Sequence, residues 1–142
     1  MFEPSPAFSL QVGLWALLLH GLWEYAQVIP LYRCWERWTP WQRIWVLPAA
    51  TLGDAVATVA FAAGTAVVLG PAHVQPLTTA GAAMLLGVGL AAGIVFESVA
   101  LRLDLWRYEE SMPTLRIAGH HVGAVPVLQM TFLPVLSIWI AG

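Results

Sequence analysis

Residues Phe8–Leu31 read FSLQVGLWALLLHGLWEYAQVIPL, an apolar run whose second half nonetheless holds a histidine, a carboxylic acid and an amide: His20, Glu24 and Gln27. At about 1.5 Å of rise per residue such a run crosses a hydrocarbon core of about 30 Å as one helix. Three more stretches have the same length and character, at approximately 44–69, 79–101 and 122–141. The whole chain is 59% hydrophobic and 10% charged. Soluble domains carry about a quarter charged residues, so this chain lacks the polar surface needed to dissolve. The sequence predicts an all-α integral membrane protein, with residues 1–142 forming one domain of four transmembrane helices.

The charges predict how the spans are threaded. The chain has no lysine, and its six arginines fall in two segments: Arg33, Arg37 and Arg43 between the first and second spans, and Arg102, Arg107 and Arg116 between the third and fourth. Basic residues in short loops stay on the cytoplasmic side. Loops 33–43 and 102–121 are therefore expected in the cytoplasm of a cell with an inner membrane, and both termini outside it. Short connections favour antiparallel neighbours, giving an up-down four-helix bundle. The N-terminal MFEPSPA is acidic and proline-containing, unlike the basic start of a cleavable signal peptide. Trp35, Trp38, Trp41, Trp45 and Trp106 lie near the expected cytoplasmic boundary, where amphipathic rings settle.

Polar residues in the spans fall on faces. At 100° per residue, His20, Glu24 and Gln27 lie within about 60° of one another. On the second span Thr51, Asp54, Thr58 and Thr65 do the same. The third span carries Glu97, with Gly89 and Gly93 in a small-xxx-small pattern that lets a neighbouring helix approach. The fourth carries Gln129 between Pro126 and Pro134. Counted from the arginine-bearing ends, all of these acids and amides lie between the cytoplasmic boundary and the bilayer centre. A carboxylate facing lipid costs about 2.5–3.5 kcal/mol even on lenient insertion scales. His20, Glu24, Gln27, Asp54, Glu97 and Gln129 are thus expected to turn inward as one buried polar or ion-binding cluster. A lone Thr or Gln in a span is ordinary interhelical glue; two glutamates, an aspartate and a histidine at similar depth point to function.

The loop RLDLWRYEESMPTLRIAGHH, residues 102–121, supplies further candidates in Trp106, Tyr108 and Pro113. Its first half is expected to prolong the third helix until SMPTL breaks it, because the residue before a proline disfavours helix. His120 and His121 point in different directions on any regular element and make a weak metal signal. With Cys34 the only cysteine, neither an intrachain disulfide nor a thiolate cluster can form. No basic tract suggests nucleic acid, and no phosphate-loop, dinucleotide, nucleophile-elbow or HExxH motif is present.

HGLWEYAQ in the first span, LGD in the second, E…RLDLWRY…MP around the third and PVLQMTFLP in the fourth resemble a group of small four-helix bacterial inner-membrane proteins of uncharacterised function. The resemblance implies that Glu24, Asp54, Glu97, Trp106, Tyr108, Pro113 and Gln129 belong together. The intramembrane acid followed by W-x-Y and a proline is also similar to membrane carotenoid cyclases and hydratases, over one helix and a loop.

Three functions fit these residues. The first is a non-catalytic subunit docked in a larger membrane assembly or self-associated, its polar site holding a cation, a pigment edge or a lipid headgroup. The second is proton or divalent-cation handling, with a dimer providing the room that four helices lack. The third is an intramembrane enzyme in which Glu24 or Glu97 acts as an acid on an isoprenoid or other lipid.

Overall fold

The computed structural model describes residues 5–142, with Trp35 described by its backbone alone. The reading of the N-terminal segment as no signal peptide, and the anchoring role expected of the Trp35 ring, lie outside what is described. Four helices are long and apolar enough to cross a membrane: α1 (Pro6–Leu31), α3 (Pro40–Leu69), α4 (Thr79–Arg102) and α5 (Ala124–Ala141). A single turn, α2 (Cys34–Arg37), joins α1 to α3, and a 3₁₀ turn at Pro71–His73 follows α3.

Local chemistry sets where the spans begin. The Ser5 hydroxyl accepts from the Phe8 amide. Thr39 and Gln42 form a reciprocal capping box, so α3 starts at Pro40, several residues before the expected 44. Thr78 accepts from the Gly81 amide to open α4. The last span starts at Ala124 and not at 122, because residues 122 and 123 belong to a β-strand.

That strand is part of the main departure from the sequence reading. The segment after Arg102 does not prolong the third helix. Asp104 takes a left-handed backbone conformation with φ of 52°, and the chain then turns back across the end of the bundle. The Arg33 amide donates to the Arg107 carbonyl at 2.9 Å, and the Glu109 amide donates to the Leu31 carbonyl at 2.9 Å. The Ser111 hydroxyl donates to the Pro30 carbonyl at 2.6 Å. The last carbonyls of a helix have no partner within it; here the loop supplies them for α1. A hairpin follows, β1 (Thr114–Ile117) paired antiparallel with β2 (His120–Gly123), turning through Ala118 and Gly119 with φ of 47° and 82°. Two positive φ values in a two-residue turn match the twist of the strands it connects.

The four spans form an incomplete ring. α1 packs on α3 and on α5, and α4 packs on α5, whereas α3 and α4 touch sparsely although they are consecutive spans. One apolar cluster, Phe8, Val12, Ala62, Ala66, Leu85 and Ile138, includes Val74 from the short middle loop. A second, Val28, Tyr32, Cys34, Leu47 and Met112, sits at the end where the two arginine-bearing loops meet. The tight α4–α5 contact depends on glycine. A Cβ on Gly89 would lie 2.2 Å from the Met130 carbonyl oxygen, and one on Gly93 would lie 3.2 Å from Val127 and Met130.

Gly89→Ala should therefore force the two helices apart and lower stability by about 1–3 kcal/mol, the usual penalty for overpacking, read as an earlier midpoint in detergent-denaturant unfolding. Gly87→Ala, where a Cβ meets nothing within 4 Å, should leave the midpoint unchanged or raise it.

Candidate functional site

His20, Gln27 and Gln129 are buried between α1, α3 and α5, and their orientation follows from one residue that the sequence reading passed over. The Trp23 indole N–H, which can only donate, is 3.2 Å from Gln27 Oε1. That fixes the Gln27 oxygen as an acceptor and turns its Nε2 toward Gln129 Oε1, at 2.9 Å. Gln129 must then present Nε2 on its other side. There it lies 2.9 Å from Glu24 Oε1, 2.9 Å from Asp54 Oδ2 and 3.1 Å from His20 Nδ1. One amide thus joins acids and a histidine contributed by two other spans.

The histidine is oriented in the same way. His20 Nε2 is 3.2 Å from Thr58 Oγ1, and that hydroxyl donates its hydrogen to the Asp54 carbonyl at 2.9 Å. Nε2 must therefore be the donor in its contact with Thr58, which leaves Nδ1 facing Gln129 and, at 3.4 Å, Asp54 Oδ2. The Gln129 amide carries two hydrogens, and three acceptors surround it. Gln27 hydrogen-bonds Glu24 as well, so Glu24 is not answered by Gln129 alone.

Glu97 does not join this network. Its Oε1 accepts from the Trp106 indole at 3.0 Å and from the Tyr108 hydroxyl. The Tyr108 oxygen in turn accepts the Gly123 amide at 2.8 Å, so its one hydrogen goes to Glu97. Burial and the adjacent Glu97 push the Tyr108 hydroxyl above the ordinary phenol range, which keeps it a donor. Tyr32, the residue after α1, packs edge-on against both Trp106 and Tyr108 with ring centroids 6.1 and 5.8 Å away. Among the described residues nothing donates to Glu97 Oε2, although the residue is only 4% exposed.

The two acid groups share a cavity of about 640 Å³. Glu24, Asp54, Glu97 and Gln129 line it, with Trp106 and Met130 among the largely apolar remainder of its wall. Val56 of α3 and Phe96 of α4 belong both to the cavity lining and to the outer surface, being 61% and 50% exposed. The cavity therefore opens sideways between α3 and α4, consecutive spans that touch only sparsely. A smaller pocket of about 220 Å³, lined by Arg37 and Arg107, adjoins it behind Cys34, Trp38 and Trp106.

The single cluster expected from the sequence is thus two. His20 and Gln27 stand behind Gln129 and do not line the cavity; Glu24 and Asp54 do. Glu97 faces the same space with donors from the loop. Pro113 is exposed and is not among the residues lining the cavity; its carbonyl accepts the Ala124 amide at 2.7 Å, where α5 begins. Among the described residues no three His, Cys, Asp or Glu side chains are placed to hold a metal ion. His120 and His121 are exposed on β2, where His121 Nδ1 lies 3.2 Å from Thr114 Oγ1. No protein-family model, curated protein or solved structure matches the chain.

Gln129→Leu removes the amide that answers Glu24, Asp54 and His20, and each buried polar group left unanswered costs about 1–3 kcal/mol. The variant should unfold at a clearly lower denaturant concentration than the native protein. Trp23→Phe only frees the Gln27 amide to turn over and should lose about 1 kcal/mol. A Gln129→Leu protein as stable as the native one would show that the amide is not the junction.

Proposed function

We propose that the protein admits a lipid-soluble molecule from the bilayer between α3 and α4 and acts on it by proton transfer, with Glu97 and the Glu24–Asp54 pair as the acid–base groups. The observation that carries this reading is the cavity: about 640 Å³, mostly apolar, open sideways, with three carboxyl groups from three spans on its wall. Ligand cavities typically hold about 300–1,000 Å³ and combine apolar walls with a few convergent polar groups. Glu97 suits acid–base work because one oxygen is held by Trp106 and Tyr108 while the other faces the cavity. Any proton it gains or loses is exchanged there, within reach of a bound molecule.

Two observations favour a second reading, a non-catalytic subunit of a larger membrane assembly. Gln129 ties α1, α3 and α5 in fixed register, which is the ordinary use of a buried polar group. Large apolar side chains such as Val67 and Trp139 also stand exposed around the bundle. Extraction in mild detergent separates the two: a subunit brings partner chains with it, whereas a self-sufficient enzyme brings its lipid.

The threading proposed is up-down, with the arginine loops in the cytoplasm of a bacterial cell and both termini outside. It is supported by the meeting of the two arginine-bearing segments at one end of the bundle, where Arg33 pairs with Glu109 at 3.1 Å. With Cys34 replaced by Ser, a cysteine at Glu110 should react with a membrane-impermeant maleimide only from the cytoplasmic side. A cysteine at Ala72 should react only from outside; the reverse pattern would invert the assignment.

The activity is tested by comparing total lipid extracts of cells producing the native protein, Glu97→Gln, Ala57→Trp or none. Ala57 lines the cavity, and an indole there occupies it. At least one lipid-soluble species should change with the native protein and not with either variant. Identical profiles in all four would dismiss the proposal.

A further inference from the structure

The charged residue types that line the cavity are all acidic: Glu24, Asp54 and Glu97. Glu97 Oε2 faces it without a donor among the described residues. Glu24 Oε1 and Asp54 Oδ2, together with His20 Nδ1, surround one amide nitrogen, Gln129 Nε2, and Gln27 also bonds Glu24. The donors on or beside its wall are few: the Trp106 indole and the Tyr108 hydroxyl, which both give their hydrogens to Glu97 Oε1, and the Tyr32 hydroxyl and Trp38 indole. No arginine lines the space. Arg107 sits in the adjoining pocket behind Trp106, held by both oxygens of Asp104 at 2.9 and 3.1 Å.

Resting on the reading of this cavity as the site of a lipid-soluble molecule, we infer that its occupant is an amphiphile whose polar end donates hydrogen bonds, a long-chain alcohol or primary amine, and is not an anionic lipid. A hydroxyl or ammonium group donates to a carboxyl oxygen of Glu24 or Asp54, or to Glu97 Oε2, and its chain lies along the apolar wall toward the opening between α3 and α4. A phosphate, sulfonate or carboxylate head would instead bring further acceptors against carboxyl oxygens, with no basic residue to offset them.

Four probes of equal chain length separate the possibilities in native mass spectrometry or equilibrium binding to the full chain in detergent: hexadecanol, hexadecylammonium, hexadecyl methyl ether and hexadecanesulfonate. The alcohol and the ammonium should bind, and the ether and the sulfonate should each bind about tenfold more weakly or worse, as expected when a buried acceptor meets no donor. Ether binding equal to alcohol binding overturns the assignment of the head while leaving the cavity as an apolar site. Sulfonate binding as tight as the alcohol also overturns it and places the head at Arg37 in the adjoining pocket. Failure of all four probes removes this inference together with the reading it rests on.

Glu97→Gln gives an independent readout. Trp106 and Tyr108 both donate, so they hold the oxygen of the new amide at the position of Oε1 and turn its NH₂ toward the cavity. The preference for alcohol over ether should then shrink severalfold with the protein still folded. A preference unchanged in this variant would show that Glu97 does not contact the head.

Discussion

Hydrocarbon offers no water to a carboxyl group or an imidazole, so every such group within a span has to find its hydrogen-bond partners inside the protein. Glu24, Asp54 and His20 meet on one nitrogen, the amide of Gln129. Its direction is set by a chain of contacts that starts at the Trp23 indole. Because that group can only donate, Gln27 and then Gln129 each have a single orientation that satisfies both neighbours. The polarity of the buried cluster is therefore imposed from its edge by a residue that touches neither acid.

Glu97 meets the same constraint by another route. Its donors come from the chain that follows the span, the Trp106 indole and the Tyr108 hydroxyl. Trp106 and Tyr108 can reach back only because residues 103–113 cross the end of the bundle instead of continuing the helix. They are held there by the orphaned carbonyls of Pro30 and Leu31. Satisfying the end of α1 and satisfying Glu97 are thus one structural event. The Gly123 amide, at the junction of β2 and α5, completes it by donating to Tyr108.

Between these two arrangements lies a space that neither fills. α4 is drawn against α5 by the absence of side chains at Gly89 and Gly93, and α3 is drawn against α1, so the ring stays open between α3 and α4. An opening at that place faces acyl chains, and the charged residue types inside are all acidic. The proposed chemistry follows from that combination: an apolar route of entry and an interior with three carboxyl groups and no basic residue on its wall.

The sequence by itself determined the four spans, through their length and apolar content. It also picked out the buried polar faces, because helical periodicity puts His20, Glu24 and Gln27 on one side of α1 and Thr51, Asp54 and Thr58 on one side of α3. It singled out Trp106 and Tyr108 as candidates but not what they touch, and it overlooked Trp23 and Tyr32. The hairpin was hidden because its turn, Ala118–Gly119, lacks the Asn or Asp that usually announces two positive φ values. Only the tertiary structure decided that the expected single cluster divides in two, that Pro113 stays outside it and that α3 and α4 part. Periodicity assigns a residue to a face of its own helix; which neighbour that face meets depends on close packing between helices, here on a few glycines and on where a loop finds unpaired carbonyls.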